Sequence, residues 1–174
     1  YNKYFDIALD GVQFINDCKV INYNWHKNEV NTTKGLMSAD IIINTLPVDY
    51  LFNCTYGKLQ YSGRKFIPFI LPTESIFPSD MTWIHYYSNE HYTRITEFKK
   101  ITNYKSPFTL LGMEIPDSGS RYYPVQSFSE LARFEKYKGL FPANFYSIGR
   151  HGSFKYKGIP DAIKDALEVA KKIS

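Results

Sequence analysis

SIGRHGSFKYKGIPDAI, residues 147–163, joins a strand to a helix. Such a turn needs two to six residues. This one is longer, carries Arg150, Lys155 and Lys157, and places Tyr156 just ahead of the helix. Gly149 and Gly152 permit close backbone approach. Arginine, glycine and a helix N-terminus together suit the holding of an anion. The following segment is the best-defined helix of the chain. Ile159, Ala162, Ile163, Ala166, Leu167, Ala170 and Ile173 repeat at three and four residues and predict one apolar face. Pro160 suits the first turn, where its missing N–H is no loss. Asp161 and Asp165 lie early and Lys171 and Lys172 late, as the macrodipole prefers.

Working outward, Asn144–Ile148 reads as the strand that feeds this turn. Ser127-Phe128-Ser129-Glu130 has capping-box spacing and opens a helix through Tyr137. The preceding chain is strand-rich. Cys18–Tyr23 alternates, Asn28–Gly35 reads as a polar turn, and Ala39–Pro47 is a β-branched run that suits a strand covered on both faces. Tyr56–Leu59 is a turn. Lys65–Leu71 and Met81–Tyr87 are strands, with Pro68 demoting part of the first to an edge or bulge. Phe108–Ile115 is a strand expected to be interrupted near Gly112. Strands at short intervals with few helices between them predict an α+β fold built mainly on an antiparallel sheet.

The chain has 174 residues, 44% hydrophobic and 22% charged, which excludes a disordered polar chain. A net charge of +4, scattered along the sequence, argues against a nucleic-acid platform and leaves a local anionic ligand compatible. Fifteen Tyr and thirteen Phe predict a thick aromatic core, with a minority lining a pocket. Cys18 and Cys54 are too few for a disulfide framework and read as buried thiols of a reducing compartment. The four histidines lack ligand spacing, so no metal is expected. No apolar stretch approaches 18 residues, and a cytoplasmic location is expected. The opening Tyr1-Asn2-Lys3-Tyr4 reads like the middle of a longer protein.

Three stretches in order resemble the C-terminal half of the UDP-galactopyranose mutase family, flavoenzymes of the FAD-binding amine-oxidase-like superfamily. His91-Tyr92-Thr93-Arg94-Ile95-Thr96-Glu97-Phe98-Lys99 is similar to the family's YTRITEHK segment. Met113-Glu114-Ile115 with Tyr122-Tyr123-Pro124-Val125 is similar to its EY…YYP segment. The stretch at 147–163 is similar to GRLGxYxYxDM plus a helix. Tyr56–Tyr61 also looks like YGRLGYR, so the match spans roughly residues 40–173.

The resemblance implies a pyranose-to-furanose isomerisation without net redox change. In the family, reduced flavin N5 takes the anomeric carbon of the sugar, UDP leaves, the sugar opens and recloses, and UDP returns. Arginine suits a diphosphate that departs and comes back, because it stays charged and offers a planar fork of donors. By the same resemblance Arg94, Glu114 and Tyr156 are catalytic. Arg94, Tyr123 and Tyr156 contact the diphosphate, and Gly149, Arg150, Gly158, Ile159, Pro160 and Asp161 hold FAD. The N-terminus of the last helix would then face the flavin pyrimidine edge, stabilising negative charge there on reduction.

Simpler readings stand beside these. Arg94 could be a surface pair with Glu97, Glu114 a solvated strand end, Tyr123 and Tyr156 core aromatics, and residues 147–163 an exposed basic connection. Departures from the family pattern are Gly158 for Asp, Ile159 for Met, Phe154 for Tyr and His151 for Leu. No G-x-G-x-x-G follows a strand, and the family's upstream substrate arginine has no match.

The expected organisation is a lead-in at 1–38, then an antiparallel substrate-side region at 39–125 whose early strand belongs to the FAD domain. Residues 126–174 would complete that Rossmann-like domain. Expected partners are a UDP-sugar and, in the parent protein, a second copy in a homodimer. Nucleic acid and a membrane span are not expected. The piece alone is expected neither to bind FAD tightly nor to turn over. The other function classes compatible with the residues are an FAD-dependent amine-oxidase-like oxidoreductase and a non-catalytic sheet module for a nucleotide sugar or a partner protein.

Overall fold

The computed structural model describes residues 2–173 and contains three sheets. Helix α1 (Asn2–Ala8) precedes a three-stranded antiparallel meander, β1 (Val20–Asn24), β2 (Glu29–Thr32) and β3 (Gly35–Ser38). The segment expected as one polar turn, 28–35, therefore contains a strand. Asn28 and Gly35 take positive φ (55° and 109°) on either side of it and turn the chain twice. Asn and Gly tolerate that region, while Val30 and Thr32 favour the pleat. The abundance of polar side chains concealed the strand.

β4 (Ile42–Asn44) lies parallel to β10 (Phe145–Ser147). The run at 39–47 thus yields only three strand residues with a single neighbour. Ile41 and Ile43 are exposed, so the cover expected on both faces is not supplied by residues 2–173.

The largest sheet is antiparallel, in the order β6-β7-β8-β5-β9. Its strands are β5 (Tyr61–Leu71), β6 (Trp83–His85), β7 (Arg94–Glu97), β8 (Thr109–Asp117) and β9 (Tyr123–Pro124). β9 pairs only with Tyr61 and Ser62, which leaves the Pro68 stretch of β5 on an edge, where proline is tolerated. β8 runs through Gly112 without the expected interruption, paired with Pro68 and Thr96. Glycine there avoids a crowded contact with two rings. A Cβ would collide with the Phe66 ring and come within 2.7 Å of Phe98 Cε2.

Helices α2 (Val48–Leu51), α3 (Phe98–Thr102), α4 (Phe128–Lys138), α5 (Gly149–Gly152) and α6 (Ile159–Ile173) complete the fold. Tyr23, Phe52, Tyr137 and Phe145 meet at the centre of the core, with Tyr61, Phe134 and Phe154 beside them. Among the described residues only eight Tyr and Phe are buried, far fewer than the expected thick aromatic core. Cys18 and Cys54 are half-buried free thiols rather than buried ones. The cap at Ser127 forms, its hydroxyl accepting from Glu130 N at 3.4 Å. Glu130 does not close the box, because its carboxylate accepts from Gln60 N at 2.8 Å and from Arg133. Helix α6 has its expected span, but Ile159, Ile163 and Leu167 are 62%, 56% and 59% exposed, and Val169 is the buried residue.

Candidate functional site

Residues facing each other across an antiparallel ladder share a face. Arg94 of β7 is opposite Glu114 of β8, and Glu114 is opposite Phe66 of β5. Arg64 is two residues from Phe66 and points to the same side. Three charged residues from three strands are thereby gathered on one face. Glu114 accepts from Arg94 Nε at 2.7 Å and from Arg94 Nη2 through Oε1, and from Arg64 Nη1 through Oε2. Burial by itself would push the Glu114 carboxyl up, but the hydrogen bonds and charges of Arg94 and Arg64 outweigh it and hold the group below the usual carboxylate range. The simpler alternative, a surface pair of Arg94 with Glu97, does not occur. Neighbouring strand positions alternate faces, and Glu97 points the other way. It is fully buried, accepting from Phe77 N (2.9 Å), Ile76 N (3.1 Å), Ser75 Oγ (3.2 Å) and Thr109 Oγ1 (2.6 Å).

Tyr123 continues this face. Arg64 Cζ lies 6.0 Å and Arg150 Cζ 5.1 Å from the Tyr123 ring centroid. Arg150 is also 5.0 Å from the Tyr156 ring, and the two tyrosine rings are 5.7 Å apart at 27°. Arg94, Glu114, Tyr123, Arg150 and Tyr156 thus form one connected group, with Arg64 as its bridge. Much of the Arg150 fork is spent on backbone. Nε and Nη2 donate to Lys157 O (3.1 and 2.9 Å) and Nη1 to Tyr122 O (3.3 Å). Arginine there ties β9 to the turn ahead of α6.

The 147–163 connection is not an extended loop, since Gly149–Gly152 makes one helical turn, α5. Gly149 has φ of 72° with open space beside it. Gly152 instead packs on the protein itself, because a Cβ would lie 2.8 Å from Asn44 O. At the start of α6, Gly158 N donates to Asp161 Oδ2 at 3.1 Å, and Pro160 has no N–H. Of the residues expected to offer donors there, Gly158 spends its amide on Asp161 within the chain. Asp165 accepts from Gly149 N at 3.0 Å and from Lys157 Nζ. Phe154, with φ of 47°, is buried between Phe134 and Tyr61, where a phenolic hydroxyl would need a partner. His151 lies 5.7 Å from the Tyr61 ring, and burial followed by the charges of Arg150 and Arg121 holds it below its ordinary pKa.

Sequence reasoning missed three groups. Arg64 carries no local signal, because only the sheet register brings it to Glu114. Glu97 offers the sequence only an i,i+3 pair with Arg94, while its four donors come from residues 75–77 and Thr109. The buried Asp49, which accepts from Arg121 (2.7 Å) and Leu59 N (3.1 Å), carried no motif. Among the described residues no cluster of His, Cys, Asp or Glu could hold a metal, and no helix is long and apolar enough to cross a membrane.

Residues 1–156 match the family pattern of UDP-galactopyranose mutase (GLF). Among solved structures, a reduced UDP-galactopyranose mutase superposes with a TM-score of 0.72 at 17% identity, over 90% of this chain and 46% of that one. A structural-genomics protein of Pyrococcus furiosus gives 0.49 at 15% identity, over 87% and 46%. The chain therefore spans about half the length of the solved structures it matches. With its antiparallel sheets, the shared fold and a family pattern running through Arg94, Glu114 and Tyr123, the chain belongs to the UDP-galactopyranose mutase family.

Proposed function

We propose that this chain is the C-terminal portion of a flavin-dependent mutase that interconverts UDP-galactopyranose and UDP-galactofuranose, in the cytoplasm, for cell-surface polysaccharide. The observation that carries this reading is the connected face Arg94–Glu114–Arg64–Tyr123–Arg150–Tyr156, in which Arg94 and Arg64 share one carboxylate and Arg64 and Arg150 lie against a pair of stacked tyrosines ahead of α6. In this proposal residues 39–125 form the substrate side, except β4. That strand and residues 126–174 belong to the FAD domain, and 1–38 leads in.

The residues around the α5–α6 turn fit a flavin edge. Gly149 leaves open space, Tyr156 and Ile159 are exposed apolar surfaces, and Arg150 adjoins a 15-residue helix whose start favours negative charge. Reduced FAD, when bound, supplies the electron-rich centre that the exchange at the anomeric carbon needs. The chain's own part is electrostatic. Arg94 binds the diphosphate and stabilises the charge that grows as the glycosidic bond to it breaks. Glu114 fixes the plane of the Arg94 guanidinium. The Tyr123 and Tyr156 phenols donate to phosphate oxygens and wall the site from water.

The test is Arg94→Ala in the intact reduced enzyme, with UDP-galactose turnover scored for a furanose product. We expect UDP affinity to fall at least tenfold and the product to disappear. Unchanged UDP affinity would favour an oxidoreductase of the same superfamily. Residues 1–174 alone should show no submicromolar affinity for FAD, and finding such affinity would refute the assignment as one portion of the site.

A further inference from the structure

We infer that Arg64 is a second phosphate-binding guanidinium of this site, held in register with Arg94 by their shared carboxylate. The inference rests on the mutase reading and deepens it. One cation is enough to neutralise Glu114, yet two guanidiniums converge on it from strands on either side. The carboxylate side chain is 8% exposed, while Arg64 and Arg94 are 35% and 34% exposed. Their inner edges are anchored and their outer edges remain open to solvent.

The donors divide in the same way. Arg64 uses only Nη1 on Glu114, which leaves Nε and Nη2 without a partner among the described residues. Arg94 uses Nε and Nη2, which leaves Nη1. Two forks tied to one carboxylate present a paired set of charge-assisted donors, the arrangement that bidentate phosphate binding requires. The charges agree. Two arginines and one carboxylate carry a net +1, and Arg150, which also lies against the Tyr123 ring, adds another positive charge. A diphosphate brings at least two negative charges to that face. Glu114 is then a positioning residue, setting the spacing of the two guanidiniums from beneath. Arg64 also lies nearer Tyr123 than the strand of Arg94 does, since β5 is the neighbour of β9. The pair therefore extends the anion site toward the tyrosines.

The test is titration of the intact oxidised holoprotein with UDP and, separately, with uridine, in the wild type and in Arg64→Met, Arg64→Lys and Arg94→Met. We expect Arg64→Met to weaken UDP at least tenfold and leave uridine within twofold. Arg64→Lys should recover part of the loss, since it restores the charge but not the fork. If Arg64→Met leaves UDP within twofold while Arg94→Met weakens it tenfold, the inference fails and the mutase reading stands. An equal loss for UDP and uridine would mean that Arg64 only supports the sheet, and this too overturns the inference. If neither arginine matters to UDP, the mutase reading fails with it.

Discussion

Glu97 shows how much one residue can organise. Its four donors come from the 75–77 segment and from β8, so a single buried carboxylate fastens a loop and two strands together. Burial alone would raise its pKa, but the hydrogen bonds from Thr109, Phe77, Ile76 and Ser75 outweigh burial and lower it. Glu114 and Asp165 are lowered in the same sense, Asp165 by Lys157 and the Gly149 amide working against burial. A carboxyl whose pKa is lower in the folded than in the unfolded state contributes stability above its unfolded value, about 4. That contribution is lost as pH falls through the folded value. The unfolding midpoint should therefore drop as pH is lowered below about 5, and Glu97→Gln should flatten the drop. At neutral pH Glu97→Gln should cost about 1–3 kcal/mol, because an amide nitrogen faces donors it cannot accept from; urea denaturation measures it. Gly63 and Gly112 make a second contrast. A Cβ at Gly63 would strike Ser120, including its backbone 2.7 Å away, whereas at Gly112 it strikes the ring of half-exposed Phe66. Gly63→Ala should cost about 3 kcal/mol and Gly112→Ala about 1, within the range for overpacking, as read by thermal unfolding.

Among the elements, α4 and α6 differ in what holds them. α4 is capped by Ser127 and buries Phe134 and Tyr137, with the Tyr137 hydroxyl donating to Gly57 O at 2.7 Å. Removing the cap with Ser127→Ala should cost about 1 kcal/mol, seen as a lower denaturant midpoint with an unchanged slope. α6 has the clearest amphipathic pattern in the chain but leaves that face in solvent. It is tied down through polar contacts, Asp165 to Gly149 and Lys157, and through Val169. Helix propensity and a sorted charge pattern are therefore legible locally, while the partner of an apolar stripe is not.

Over the whole molecule, burial is concentrated where α2, α4, β10 and the 149–154 turn meet, and the five-stranded sheet carries much exposed apolar surface. Contiguous exposed apolar surface marks a face that packs on something else. The double substitution Ile163→Glu with Leu167→Glu should leave the stability of residues 1–174 within about 0.5 kcal/mol, as for exposed sites. It should also reduce self-association in sedimentation. A larger loss of stability would show that α6 packs through that face after all.

The residues alone determined the α+β class, the span of α6, the cap of α4 and the ordered motifs that carry Arg94, Glu114, Tyr123 and Arg150. These depend on local periodicity, on hydrogen bonds three residues apart, and on a sequence order that survives without any contact being known. Only the tertiary structure decided that Arg94 faces Glu114 and not Glu97, that Arg64 shares that carboxylate from 50 residues away, and that the stripe of α6 is left open. Strand register joins residues far apart in the chain and assigns each side chain to one face of the sheet. A shift of one position would separate all three charged groups, and nothing in the local sequence near any one of them sets that position.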